Sequence, residues 1–286
     1  MTITVTTAAI AVPVIDDASA AATAGCPTGA VLLGGGAQVT GRGGGVPPPS
    51  LHLDASMAAG PIGWAVGAAT GKQPAAATTA ESLALCLGGS MRVTDVTATS
   101  EGPAAPNATA RATAVCPAGR VLIGGGAAGS APGPAGAPSV HLIGDLPSTA
   151  TGAPVRSGAA AAWTAIVANG GMPAPGAATV AVARCADPGV IATTSVMSKT
   201  VTGPVAPGGV AATARAACPA GSSLVGGGAG TGFPDGSAGE GVHLTSSGPQ
   251  VPAGSAVDPT TWTAAAVTGG MPAFGERTTA FALCAR

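Results

Sequence analysis

The strongest constraint on this fold is that one pattern is written three times. Cys26-Pro27-Thr28-Gly29 recurs as Cys116-Pro117-Ala118-Gly119 and as Cys218-Pro219-Ala220-Gly221. Eight residues after each of those cysteines a triple glycine begins: Gly34 to Gly36, Gly124 to Gly126 and Gly226 to Gly228. Then come Leu51-His52-Leu53, Val140-His141-Leu142 and Val242-His243-Leu244, followed by Trp64, Trp163 and Trp262. A second cysteine stands 22 residues after each tryptophan, at Cys86, Cys185 and Cys284. Val/Thr-rich runs ending at or next to a proline open each copy. The copies cover 1–89, 90–190 and 191–286 with no long linker between them. Self-similarity of this kind makes the repeat the unit from which the fold is built.

The repeat decides how the composition is read. Gly (47) and Pro (26) make up about a quarter of the 286 residues, and much of the hydrophobic content is alanine. Without a period, such a chain would sit among low-complexity sequences. Here many glycines and prolines hold fixed offsets from a cysteine, so they read as turn and close-packing positions. Charged residues are only 8 % and the net charge is −1, whereas disordered chains are usually solvated by charge. Basic residues are scattered singly, which excludes the clustered cations that nucleic acid requires. No apolar run of 18 residues predicts a transmembrane helix. Residues 1–14 are apolar but lack a positive start and a clear cleavage site, so no signal peptide is expected in them.

Each copy reads as antiparallel β. The Cys-Pro-x-Gly segment suits a tight turn. The Trp strand alternates, with Trp163, Ala165 and Val167 on one face. The last strand carries large residues on one face (Leu83 and Leu85; Val180 and Val182; Phe281 and Leu283) and Ala with Cys on the other. A strand with one large and one small face predicts a sheet packed on both sides. Gly and Pro interrupt nearly every helical window, although Ala159–Ala162 is allowed a short helical turn. The fold class is therefore all-β: three antiparallel units of five or six strands, fused prism-like around a pseudo-threefold axis. Tandem β-sandwiches are the alternative. The spacing between His and Trp differs among the copies (12, 22 and 19 residues), which marks that segment as a surface loop.

Six cysteines, two per copy at matching places, predict the disulfides Cys26–Cys86, Cys116–Cys185 and Cys218–Cys284. No closely spaced pair suggests zinc or redox chemistry. Disulfides imply an extracellular or cell-surface location.

The triple glycines are not phosphate loops, since no Gly-Lys-Ser/Thr follows; they predict bulges or close backbone approach. His52, His141 and His243 are candidate ligand-facing residues that would become equivalent in a closed threefold arrangement. Three imidazoles can hold a metal, but a solvent-facing or satisfied core histidine is the simpler reading, and no metal or cofactor is expected. Trp64, Trp163 and Trp262 are candidate sugar-stacking residues, set against the simpler role of core anchors. Acids do not recur with the repeat: Asp54 and Asp145 fall near histidines, but the third copy has Thr245-Ser246-Ser247 there. No catalytic residue is assigned, and no nucleophile elbow occurs. Asn107-Ala108-Thr109 is a glycosylation sequon.

The run Cys-Pro-Ala-Gly, Leu-x-Gly-Gly-Gly-Ala, Trp, Ala-x-Cys resembles modules of secreted or surface proteins of high-GC bacteria, and segments of phage tails and pilus tips. The first copy departs from it at Thr28, and it has Gly71-Lys72-Gln73-Pro74 where the others have Gly-Gly-Met-Pro. The resemblance implies an extracellular, non-catalytic β module and carries over only the six cysteines. The expected function is a secreted structural or adhesive protein that recognises a surface glycan or protein through its His-to-Trp loops. A phage-tail or virion component and a hydrolase with one asymmetric site are the alternatives.

Overall fold

The computed structural model describes residues 2–41, 47–71, 77–130, 139–206, 211–232, 241–250, 260–269 and 273–286. It is all-β, with three antiparallel sheets and no helix among the described residues. Residues 159–161 form no helical turn and lead straight into a strand.

The first copy supplies β1 (Ile3–Ala11), β2 (Ser19–Gly25), β3 (Ala30–Thr40), β4 (Leu51–Ala59), β5 (Gly63–Thr70) and β6 (Thr79–Gly88). The second supplies β7 (Val93–Glu101), β8 (Thr109–Val115), β9 (Val121–Ser130), β10 (Val140–Ser148), the two-residue β11 (Ser157–Gly158), β12 (Ala162–Asn169) and β13 (Ala178–Ala186). The third supplies β14 (Thr194–Thr202), β15 (Ala212–Ala217), β16 (Ser223–Gly232), β17 (Val242–Pro249), β18 (Thr261–Thr268) and β19 (Arg277–Ala285).

No copy keeps its strands in one sheet. Each splits into two halves, and each half continues into a half from another copy. The sheets run β1-β6-β3-β17-β18-β15, β2-β5-β4-β9-β13-β7 and β11-β14-β19-β16-β10-β12-β8. Copy one thus joins copy three through β3 and β17, copy one joins copy two through β4 and β9, and copy two joins copy three through β10 and β16. The ring of partnerships is closed. The three seams are short: Gln38 and Ala37 face Ser246 and Ser247, Ala55 and Ser56 face Ala128 and Ala127, and Gly144 and Asp145 face Gly230 and Ala229.

The triple glycines make this possible, each glycine in its own way. A bulge precedes the first of them in all three copies, with Leu33, Ile123 and Val225 as the extra residues. The first glycines, Gly34, Gly124 and Gly226, meet one another backbone to backbone. A Cβ on Gly226 would stand 3.1 Å from the Gly124 Cα and 2.7 Å from the Ile123 carbonyl. The second glycines, Gly35, Gly125 and Gly227, lie directly under Trp64, Trp163 and Trp262. The third glycines, Gly36, Gly126 and Gly228, press on the backbone of the neighbouring copy at the seam. Both readings of these residues, as bulges and as sites of close approach, therefore hold at once.

The three disulfides are formed as the repeat predicts: Cys26–Cys86, Cys116–Cys185 and Cys218–Cys284. The first cysteine of each pair follows β2, β8 or β15, and the second lies in β6, β13 or β19. Each bond therefore ties together the two half-sheets of one copy. The turn after the first cysteine is tight. Proline opens the hydrogen-bonded turn (Ala30 N–H to Pro27 O, 3.1 Å) and glycine is its third residue, at φ +81° for Gly29. Positive φ at that position is what glycine permits. One continuous hydrophobic cluster draws on all three copies. Much of it is alanine, which is why the backbones can approach so closely.

Candidate functional site

His52, His141 and His243 are the second residues of β4, β10 and β17, strands that pack against one another across the centre of the molecule. The apolar residues on either side of each histidine are buried in the sheet interior. The alternation of the strand therefore turns the histidines to the opposite face, where the three strands meet. All three are buried, at 5–6 % exposure. Each ring lies 5.6 Å, centroid to centroid, from both others, edge to face at 61–70°. The three candidate histidines face each other, one from each copy.

Their hydrogen bonding is one-sided. His52 Nδ1 lies 3.2 Å from the Ser50 carbonyl, and His141 Nδ1 lies 3.0 Å from the Ser139 carbonyl. A carbonyl only accepts, so Nδ1 carries the proton and Nε2 presents a lone pair. The Nε2 atoms of all three rings are buried and have no hydrogen-bond partner. Burial lowers the basicity of the rings: His52 falls to about 3, His141 to about 4, and His243 well below the ordinary value. Mutual repulsion adds to this for His52 and His243, and backbone carbonyls oppose it. The cluster is thus three neutral imidazoles whose Nε2 atoms have no hydrogen-bond partner, and in His52 and His141 that nitrogen is an acceptor. As the side chains stand, no group of three His, Cys, Asp or Glu residues among the described residues encloses a position for a metal ion.

Trp64, Trp163 and Trp262 are wholly buried, each filling the space that a glycine leaves open. Their indole N–H groups are satisfied internally: Trp64 donates to Ser56 Oγ at 3.2 Å and Trp262 to Ser247 Oγ at 3.3 Å. Trp163 donates to Asp145 Oδ1 at 2.6 Å. A buried ring with a satisfied polar edge has the environment of a core anchor, and no ring face is open at the surface.

The two acids near the histidines are not equivalent. A bulge follows each histidine, and its extra residue is Asp54, Ile143 or Thr245. Asp145 lies beyond the bulge, at the position held by Ser56 and Ser247. Burial raises Asp54 to about 6 and Asp145 to about 8; the indole hydrogen bond opposes the shift of Asp145.

The segment between His and Trp begins and ends in strand, with a loop only at its tip. In copy one it is a hairpin that turns at residues 60–62. The length difference is confined to the tip, which in copy two spans residues 149–161; the corresponding tip of copy three falls mainly outside the described residues. The copy-two tip is nevertheless well held. Val155 N–H reaches Pro147 O at 3.0 Å, and Ser157 and Gly158 pair with Met197 and Val196 on the edge strand of copy three. Arg156 donates to Thr200 Oγ1 at 3.1 Å, and Ser198 Oγ donates to the Arg156 carbonyl at 2.8 Å.

Arg184 is a further singular residue. It stands immediately before Cys185, where the other copies have Leu85 and Leu283. Its side chain is 2 % exposed, pairs with Asp95 at 2.9 Å and donates to the Leu32 carbonyl of copy one at 2.9 Å. The signal was present in the sequence, as a charge at a position that the repeat reserves for leucine.

No helix among the described residues is long and apolar enough to cross a membrane. No protein-family model matches the chain, and no curated protein matches it significantly.

Proposed function

We propose that the protein is a secreted, non-catalytic scaffold that binds a glycan or protein on a surface through the hairpin tips between its His and Trp strands. The supporting observation is the tip at residues 149–161. It is largely exposed, differs in length from its counterpart in copy one, and is braced against a neighbouring copy instead of hanging free. A loop fixed on a rigid frame is the usual arrangement for recognition. The disulfides of the frame are consistent with an extracellular location. We read the frame itself as three copies fused prism-like around a pseudo-threefold axis. The closed exchange of half-sheets, the meeting of Gly34, Gly124 and Gly226, and three equal imidazole separations support that reading.

The test is a glycan-array and cell-surface binding screen with the oxidised chain, repeated with residues 149–161 replaced by a three-residue tip like that at 60–62. Binding by the parent that the shortened chain loses is the expected result. No binding by the parent, or binding that survives the replacement, overturns the proposal.

A further inference from the structure

From the histidine cluster we infer a metal site: His52, His141 and His243 together bind one divalent transition-metal ion of the zinc class, through Nε2. The inference is independent of the surface-binding reading, and it reverses the expectation from sequence that no metal is held.

Three observations carry it. First, the buried Nε2 atom of each ring lacks a hydrogen-bond partner. An unsatisfied buried polar atom costs about 1–3 kcal/mol, and here three are gathered in one place. Second, the Nδ1–H groups of His52 and His141 are held by backbone carbonyls. Metal-bound histidines are commonly oriented that way, with the remaining nitrogen free to ligate. Third, the spacing fits. The centre of a triangle with 5.6 Å sides lies about 3.2 Å from each ring centre. A zinc–nitrogen bond of about 2.0–2.1 Å, added to the distance from a ring nitrogen to its ring centre, spans about the same length.

The rings are therefore at the right separation but turned edge to face, so that no ion is enclosed as they stand. A turn of each ring small enough to keep the Nδ1–H of His52 and His141 on its carbonyl is the adjustment that binding requires, and the Cβ–Cγ torsion of histidine is soft. Neutral imidazoles favour zinc, copper or nickel over calcium or magnesium. Three protein ligands leave a fourth position to solvent.

The site would also do what the disulfides do not. Each disulfide ties a copy to itself; the ion would tie all three copies to one another.

The experiment uses the full oxidised chain, stripped with a chelator and dialysed. Cobalt(II) is titrated in and followed by its visible d–d absorption. Zinc is titrated in and followed by Tm and by the 15N shifts of the histidine nitrogens. Expected are a cobalt band that saturates at one equivalent, a zinc-dependent rise in Tm of roughly 5 °C or more, and movement of the Nε2 signals. His141→Asn and His243→Asn should each abolish the band. If the stripped parent shows neither cobalt band nor zinc-dependent Tm, the site does not exist. A band that persists in either variant, or one that needs several equivalents, also overturns it. If the variants do not fold, the Nε2 shifts of the parent decide: their failure to move refutes the inference.

Discussion

Trp163 donates its indole N–H to Asp145 at 2.6 Å, a carboxyl where the other two copies offer the hydroxyl of Ser56 or Ser247. The bond is shorter than its two counterparts, yet it places an acid in the core. Burial holds that acid at about 8, so it stays largely protonated at neutral pH. Below about pH 4 the carboxyl is protonated in folded and unfolded chains alike. Between about pH 4 and pH 8 the unfolded chain ionises it and the folded chain does not. Its contribution to stability is thus complete at low pH and is lost as pH rises, by up to about 1.4 kcal/mol per unit.

Asp145→Ser should remove that dependence while keeping an acceptor for Trp163. The expected outcome is a variant more stable than the parent at pH 8 and no more stable at pH 4, measured by denaturant unfolding across that range. Asp54 and Glu276, both raised by burial, push the parent the same way, and the histidines, lowered by burial, push it the other way. The difference between parent and variant isolates Asp145. A difference that does not change with pH would refute the assignment.

Arg184 and Asp95 form the pair that the other copies replace with Leu85 against Val5 and Leu283 against Val196. Arg184 is buried and Asp95 stands at the surface, so removing Asp95 strands a buried charge, whereas replacing both with apolar residues is often neutral. Asp95→Val alone should cost about 1–3 kcal/mol. The double variant Asp95→Val/Arg184→Leu should recover to within about 1 kcal/mol of the parent. Thermal and urea unfolding of the double-mutant cycle checks this, and a double variant as unstable as the single would contradict it.

Gly125 lies against the Trp163 ring and the Val182 carbonyl. Gly125→Ala should destabilise by about 3 kcal/mol through overpacking. Gly171→Ala, at a glycine with open space around it and no positive φ, should change stability by less than about 0.5 kcal/mol. Equal effects would show that the triple glycine is not a close-packing device.

Each disulfide closes a loop of 60 to 69 residues, for which the chain-entropy model gives about 4 kcal/mol apiece. Cys116→Ala/Cys185→Ala should lower stability by that order and leave the other two bonds intact. Unfolding measurements and non-reducing peptide mapping test both halves of the statement; cross-copy pairs in the map would contradict it.

Much of the fold was legible because the repeat places its residues at fixed offsets. The disulfide pairing, the β class and the crowded glycines all follow from comparing three versions of one pattern. What could not be read was where a half-sheet continues. Period-two alternation fixes which face of β4 is buried, but it does not say that the neighbour of β4 is β9 of the next copy. The burial of the histidines depends on that partnership, and so was invisible. The tryptophans read as candidates for two roles because the sequence does not show that Gly35, Gly125 and Gly227 lie beneath them. Arg184 and Asp145 were within reach: each breaks a position that the other copies agree on.

The exchange of half-sheets bears on how such a chain arises. One copy alone leaves open the two strand edges that its neighbours cover, at β3 and β4 in the first, and has nothing of its own to cover them. Three separate identical copies would cover one another, so the same architecture is open to a trimer of short chains. Joining them into one polypeptide frees each copy from being identical to the rest. Only in the joined form can Arg184, Asp145 and tips of unequal length differ from copy to copy instead of being repeated in all three.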